Sequence, residues 1–229
     1  MNVSMLFVHS PLVGPSSWLA VSDLMARDGF DVSVPDLTGV AQAPPPMWRT
    51  VVDTAVEAAG VLAGPLAIVG HSGAGAFLPA IADRVGQGVV SLIFVDAVIP
   101  PSDGSHQTSA AMHTLLDEQT DEGHLRRWLE WWPEEVVGDL LPDTDDRLAL
   151  LADMPSLPRA FYDEAVPVPD GWRRDRCCYL KLSDAYDQEF IQAGDLGWTR
   201  VELDADHLAI HTQPSRVAAA LRSLLDEPR

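Results

Sequence analysis

Apolar side chains fall along this chain in short continuous runs, and the stretches between them repeat with a helical period. The run at 3–9 predicts a buried strand, and the loop at 10–18 leads into a helix that lasts to about Asp28 and stops at Gly29. Alternation at 30–34 predicts a second strand, followed by a loop whose Pro44-Pro45-Pro46 no strand interior would hold. A helix is expected over 47–63, a strand over 65–70, a helix to about Val85, and at 89–95 an apolar run typical of a strand covered on both faces. Strand and helix alternate again at 177–182, 186–193, 199–203 and 214–226, with Pro214 suited to a first helical position. This order predicts an α/β protein, a three-layer α/β/α sandwich around a mainly parallel sheet of about six strands, with every strand C-terminus at one edge. Between 100 and 172 the rhythm breaks into an acidic, Pro- and Trp-containing stretch that reads as helical. It is expected to be an inserted cap over 100–172, with the core built from 1–99 and 173–229.

Composition narrows the function classes. With 229 residues, 47% of them hydrophobic, the chain fits one domain with a full core. Positions 1–20 lack a basic start before an apolar run, and no segment is apolar for long enough to span a bilayer, so a cytoplasmic protein without a membrane partner is expected. Cys177 and Cys178 are adjacent in a predicted strand, which sends them to opposite faces as free thiols. Fifteen basic against thirty-four acidic residues give a formal charge of −19, which repels phosphate backbones and argues against nucleic acid as a partner. The totals leave the oligomeric state open.

Candidate chemistry concentrates where the strand at 65–70 meets a helix with almost no spacer, in Ile68-Val69-Gly70-His71-Ser72-Gly73-Ala74-Gly75-Ala76-Phe77. Gly70 and Gly73 permit a sharp turn that lifts the Ser72 hydroxyl above the sheet edge and aims the first helical N–H groups at whatever binds there. A serine hydroxyl is a poor nucleophile at neutral pH and needs a base. His207, in the loop leaving the last strand, is the candidate; His211, four residues on, lacks the intervening glutamate and third ligand of a zinc site, so no metal is expected. A carboxylate must then hold the imidazole. Asp187, after the strand at 177–182, and Asp96, directly after 89–95, stand level, with Asp184 third. Each also has a purely local role open to it: Asp184 or Asp187 at a helix start, Asp96 in a turn.

The Gly70-x-Ser72-x-Ala74 turn, with Ala where Gly is usual, resembles the nucleophile elbow of the α/β-hydrolase fold, and the chain order Ser, acid, His is that of the family. His9-Ser10-Pro11 is similar to the family's His-Gly-x loop, and Gly14-Pro15-Ser16-Ser17-Trp18 resembles the corresponding loop of the small methylesterase and hydroxynitrile-lyase branch. The resemblance implies Ser72 as nucleophile, His207 as general base and the Gly73 N–H as an oxyanion donor. Because Pro11 has no N–H where the family's x supplies one, Leu12 or Ser10 is left as the second donor. Leu208 stands where the lyases carry a Lys, the esterase-like choice. The resemblance thus implies a serine hydrolase, without cofactor, acting on an ester, thioester or lactone of a small to medium molecule; Trp128, Trp131 and Trp132 read one by one as packing of the cap onto the core, and collectively they suggest an apolar pocket and a mostly apolar ligand. Two other functions stay open: a lyase, isomerase or cyclase on the same fold, motivated by the altered His-Ser-Pro loop, and a ligand-binding protein with a vestigial triad.

Overall fold

The computed structural model describes residues 3–174 and 176–226. Six strands, Ser4–Val8, Val32–Ser33, Leu66–His71, Val89–Val95, Arg176–Lys181 and Thr199–Glu202, pair in parallel throughout one sheet. Across the sheet they lie in the order sixth, fifth, fourth, third, first, second. The chain therefore winds one way from the first strand to the second and the other way from the third strand onward. The reversal falls between the first and third strands, and the crevice beyond their C-terminal ends is where open α/β sheets take ligands.

Residues two apart on these strands face the same way, and the core divides accordingly. Leu6, Val8, Ile68, Leu92, Phe94, Cys177 and Tyr179 face the helices Trp48–Ala59, Leu78–Val85 and Asp187–Asp195. Met5, Phe7, Val69, Ile93, Val95, Cys178 and Leu180 face Ser16–Arg27 and Pro214–Asp226. That is the three-layer sandwich expected, with the two cysteines, which form no disulfide, on opposite faces. Three elements are shorter or more broken than their patterns suggest: the second strand is two residues long, the elbow continues as a 3-10 turn over Ser72–Phe77 before its α-helix, and a 3-10 turn over Asp184–Tyr186 precedes Asp187–Asp195.

Between the fourth and fifth strands lie the helices Ala110–Glu118, Glu134–Leu140 and Thr144–Asp153. The region is not wholly helical. Gly104–His106 pairs with Val166–Val168, and Thr120–Asp121 with His124–Leu125, both antiparallel. Strands of two or three residues are too short to alternate, so they leave no periodic signature in the sequence. Two carboxylates tie this segment to helix starts in the core: Asp153 accepts from the Ser16 N–H and hydroxyl at 2.8 Å each, and Glu164 accepts from the Met47 and Trp48 N–H groups at 2.8 and 2.9 Å. A third apolar cluster, with Leu129, Val137, Leu141, Leu150 and Met154, packs it onto Val13 and Leu208. Among the described residues no helix is long and apolar enough to cross a membrane.

Candidate active site

Ser72 sits at the end of the third strand with φ at +59°, in the left-handed region that a side chain with Cβ seldom adopts. Backbone bonds hold it there: its N–H donates to the Asp96 carbonyl at 3.1 Å, and its own carbonyl accepts from the Val98 N–H at 3.2 Å. The surrounding glycines divide the work differently from the sequence expectation. A Cβ on Gly70 would stand 2.7 Å from Leu78 Cδ2, and one on Gly75 would stand 2.1 Å from the Val98 carbonyl oxygen. Gly73 meets nothing closer than Ser10 Oγ at 3.5 Å, so the turn needs small residues at 70 and 75 rather than at 73.

Asp96 ends the fourth strand, also with positive φ (+44°), and is fully buried. Its Oδ1 accepts from the Leu182 and Ser183 N–H groups at 2.8 and 3.0 Å. Its Oδ2 accepts from the Ser183 hydroxyl at 2.5 Å and pairs with His207 Nδ1 at 2.8 Å. Burial pushes this carboxyl upward, but the bonds from His207, Ser183 and Leu182 outweigh it and hold the group below the usual carboxylate range. An acceptor at Nδ1 keeps the proton there and leaves Nε2 of His207 bare.

Three rings fix that imidazole. Tyr186 stacks on it at 5.3 Å between centroids and 12° between planes, His71 lies at 4.5 Å and Trp128 at 6.0 Å. His71 Nε2–H donates to the His207 carbonyl at 2.9 Å, and burial together with the charge of His207 drives the His71 pKa down to about 3. Ser72 Oγ is bonded to the Tyr186 hydroxyl at 3.2 Å. Among the described residues no hydrogen bond joins Ser72 Oγ to His207, although both line a cavity of about 10 Å³ together with Ser10, Leu12, His71 and Trp128.

The first loop borders the same place. His9 is buried, with its pKa lowered by that burial; its Nδ1 pairs with the Ser10 carbonyl at 2.9 Å while its Nε2 accepts from the Leu37 N–H at 3.0 Å. Leu12 N–H points to Ser10 Oγ at 3.4 Å, and Pro11 has no N–H to offer. Above Ser72 and Gly73 opens a larger cavity of about 270 Å³, lined by Trp48, Phe77, Val98, Met112, Phe161 and Tyr162 among others, and by Tyr186 and Glu189.

Asp187 and Asp184 are elsewhere. Both carboxylates bind the Lys181 ammonium, Asp184 at 3.3 Å, and Glu202 joins them at 2.8 Å. The carboxylate against His207 is that of Asp96, so the expectation for Asp187 gives way to a pairing with the cation at the end of the preceding strand. Of Trp128, Trp131 and Trp132 only Trp128 reaches the imidazole; Trp131 is buried away from it and Trp132 is exposed. Tyr186 and His71 carry no sequence signal as site residues, because one Tyr in a helix-start loop has no spacing signature and His71 is the unspecified x of its motif. Among the described residues no three His, Cys, Asp or Glu side chains are grouped to hold a metal ion.

A family model described as the alpha/beta hydrolase family matches residues 5–220. Among curated protein sequences none matches significantly. Solved structures give the same fold at low identity. Tomato methylketone synthase I, complexed with 2-tridecanone, is 18% identical with a TM-score of 0.78, over 99% of this chain and 98% of that one. A pyrethroid hydrolase from Sphingobium faniae JZ-2 is 18% identical with a TM-score of 0.75 over 100% and 99%, and a methylesterase from Arabidopsis is 17% identical with a TM-score of 0.70 over 97% and 98%. Sheet order, elbow and family match converge: this chain belongs to the alpha/beta hydrolase family, and its fold resembles the methylesterase-like branch.

Proposed function

We propose that this protein is a serine hydrolase that cleaves an ester, thioester or lactone of a small to medium, mostly apolar molecule. The observation that carries the proposal is the buried Asp96–His207 pair at 2.8 Å, set beside a serine held in a strained strand-end conformation. Ser72 attacks the acyl carbon and His207 Nε2 takes its proton; Asp96 keeps the imidazole in the tautomer that can do so and stabilises the imidazolium. A rotation of the Ser72 side chain from Tyr186 toward His207 brings nucleophile and base together, the kind of tightening that substrate binding produces. The Gly73 N–H, second in the 3-10 turn Ser72–Phe77 and so too early in it to have an acceptor inside the turn, faces the developing oxyanion. Residues 100–172 act as a lid, and its aromatic wall over Ser72 favours apolar substituents and excludes water. With two glutamates, Glu164 and Glu189, and no Lys or Arg among the lining residues, the cavity disfavours substrates that carry a carboxylate of their own.

A lyase or isomerase has one observation on its side, the bonding of Ser72 to Tyr186 rather than to His207. A fluorophosphonate probe and p-nitrophenyl esters of increasing acyl length separate the two. Hydrolysis requires labelling at Ser72, ester turnover, and loss of both in Ser72→Ala. Labelling without turnover of any ester would favour the non-hydrolytic chemistry, and no labelling would favour a binding protein.

A further inference from the structure

The loop after the fifth strand approaches Ser72 with a phenol where the sequence suggested a carboxylate. Tyr186 closes the 3-10 turn Asp184–Tyr186, and that turn is pinned from three sides. Ser183, just before it, gives its N–H and hydroxyl to Asp96; Asp184, inside it, and Asp187, just after it, both bind Lys181. The phenol ring lies flat on His207, so the side chain is fixed at both ends. Its hydroxyl ends 3.2 Å from Ser72 Oγ, in the cavity that Gly73 also lines. The first loop is poor in donors by comparison: Pro11 has none, and the Leu12 N–H is turned to Ser10 Oγ.

We propose that Tyr186 is a further catalytic residue, whose hydroxyl is the second hydrogen-bond donor to the oxyanion formed on Ser72, in place of the N–H that Pro11 lacks. This rests on the acyl-transfer reading above. When Ser72 attacks, its proton passes to His207 Nε2, an Oγ lone pair forms the new C–O bond, and the carbonyl π pair moves onto the carbonyl oxygen. That oxygen is two bonds from Oγ, next to the phenol. The Tyr186 O–H, no longer held by a free serine oxygen, donates to the oxyanion together with the Gly73 N–H. Collapse restores the carbonyl, breaks the bond to the leaving oxygen or sulfur, and returns the proton from His207 to the leaving group. Tyr186 keeps its own proton throughout; burial raises its pKa to about 12, so it remains a donor across the working range. The bond it makes is stronger to the oxyanion than to the resting hydroxyl, which is what acceleration requires.

The test uses the purified full chain, with Tyr186→Phe, Pro11→Gly and the double variant, on p-nitrophenyl and ethyl esters of one acyl group. Tyr186→Phe should lower kcat by about a hundred- to a thousandfold, the usual loss for one oxyanion donor, and change KM little. The loss should be equal for the aryl and alkyl esters and should appear as weaker binding of a trifluoromethyl ketone. Restoring an N–H with Pro11→Gly should shrink the Tyr186→Phe penalty, which a merely structural role would not do; thermal melts check that the variants fold. A kcat unchanged by Tyr186→Phe, a loss confined to the alkyl ester (a leaving-group donor), a loss confined to KM, or an undiminished penalty in Pro11→Gly would each overturn the proposal. A wild-type chain unlabelled by fluorophosphonate would sink the acyl-transfer reading itself, whereas wild type and Tyr186→Phe labelling equally fast would sink only the role of Tyr186.

Discussion

Replacing Asp96 by Asn tests the proposed mechanism where its geometry is most specific. The carboxylate is fully buried and accepts four bonds, two from the Leu182 and Ser183 N–H groups on Oδ1 and two from the Ser183 hydroxyl and His207 on Oδ2. Asparagine can keep its amide oxygen on the two backbone donors. Its NH2 must then face His207 Nδ1, which forces Nδ1 to accept and moves the ring proton to Nε2, where the base should be bare. Elsewhere this wrong-tautomer effect costs about ten-thousandfold in kcat, or about 5.5 kcal/mol of barrier, and the same is expected here. Stability should fall by only about 1–3 kcal/mol, for one poorly matched buried group. Asp96→Ala is the worse probe, since it leaves two buried N–H donors without an acceptor and mixes unfolding with catalysis.

The control is Asp187→Asn. Asp187 is half exposed and touches neither Ser72 nor His207, and Lys181 keeps Asp184 and Glu202 when Asp187 is neutralised, so the variant's kcat should stay within about tenfold of wild type. Both variants are measured by p-nitrophenyl ester turnover, by the rate of fluorophosphonate labelling and by thermal melting. If Asp96→Asn kept a large share of the activity while folded, or Asp187→Asn lost as much as Asp96→Asn, the triad drawn here would be wrong.

Other perturbations probe the framework. His9 and His71 are buried with pKa values lowered from 6.5, His71 to about 3, so the unfolded chain binds more protons below pH 6.5 and stability is complete above it and falls with acid. Each should contribute a slope of up to about 1.4 kcal/mol per pH unit, and urea unfolding at pH 7 and 5 should show one proton's less sensitivity in His71→Gln; an unchanged slope would show that His71 titrates normally. Gly75→Ala drives a methyl into the Val98 carbonyl and should lower stability by at least about 1–3 kcal/mol, whereas Gly73→Ala should melt near wild type; equal melts would contradict the packing described for the elbow. Glu164→Ala removes the acceptor for two N–H groups at the start of Trp48–Ala59 and should cost about 0.5–2 kcal/mol, raise KM and speed proteolysis within 100–172; a KM and cleavage rate like wild type would mean the lid is held by other contacts.

Much of this architecture could be read from the chain because it rests on strong local signals. Val89–Val95 is apolar on both faces and could only be a covered strand, Pro214 opens its helix where expected, and the Gly70-to-Gly75 stretch shows the elbow by its missing spacer. The partner of His207 was not legible. Spacing places Asp96, Asp184 and Asp187 at strand ends along one edge but says nothing of where each carboxylate points. A clue was available in Lys181, the single cation within the apolar run at 177–182, with acids three and six residues on; a buried ammonium attracts the nearest carboxylates, and it did. Tyr186 had no such clue, since its role depends on a contact with a residue 114 positions away.

The ambiguity over the acid and the silence over Tyr186 share one physical origin. When the fourth strand supplies the carboxylate for His207, the loop after the fifth strand is released from that duty, and its acids are free to clamp Lys181. The clamp shapes the turn from which Tyr186 projects, and Asp96 fixes the same turn through Ser183. One carboxylate thus positions both the imidazole on one side of Ser72 and the phenol bonded to it. The coupling has a direction that can be measured: loss of Asp96 should disturb the environment of Tyr186, whereas loss of the Tyr186 hydroxyl should leave the Asp96–His207 pair in place. The Nδ1 proton resonance of His207, shifted far downfield by a carboxylate partner, should therefore survive Tyr186→Phe and vanish in Asp96→Asn. Its disappearance in Tyr186→Phe would show instead that the phenol holds the pair together, and the order of dependence argued here would have to be reversed.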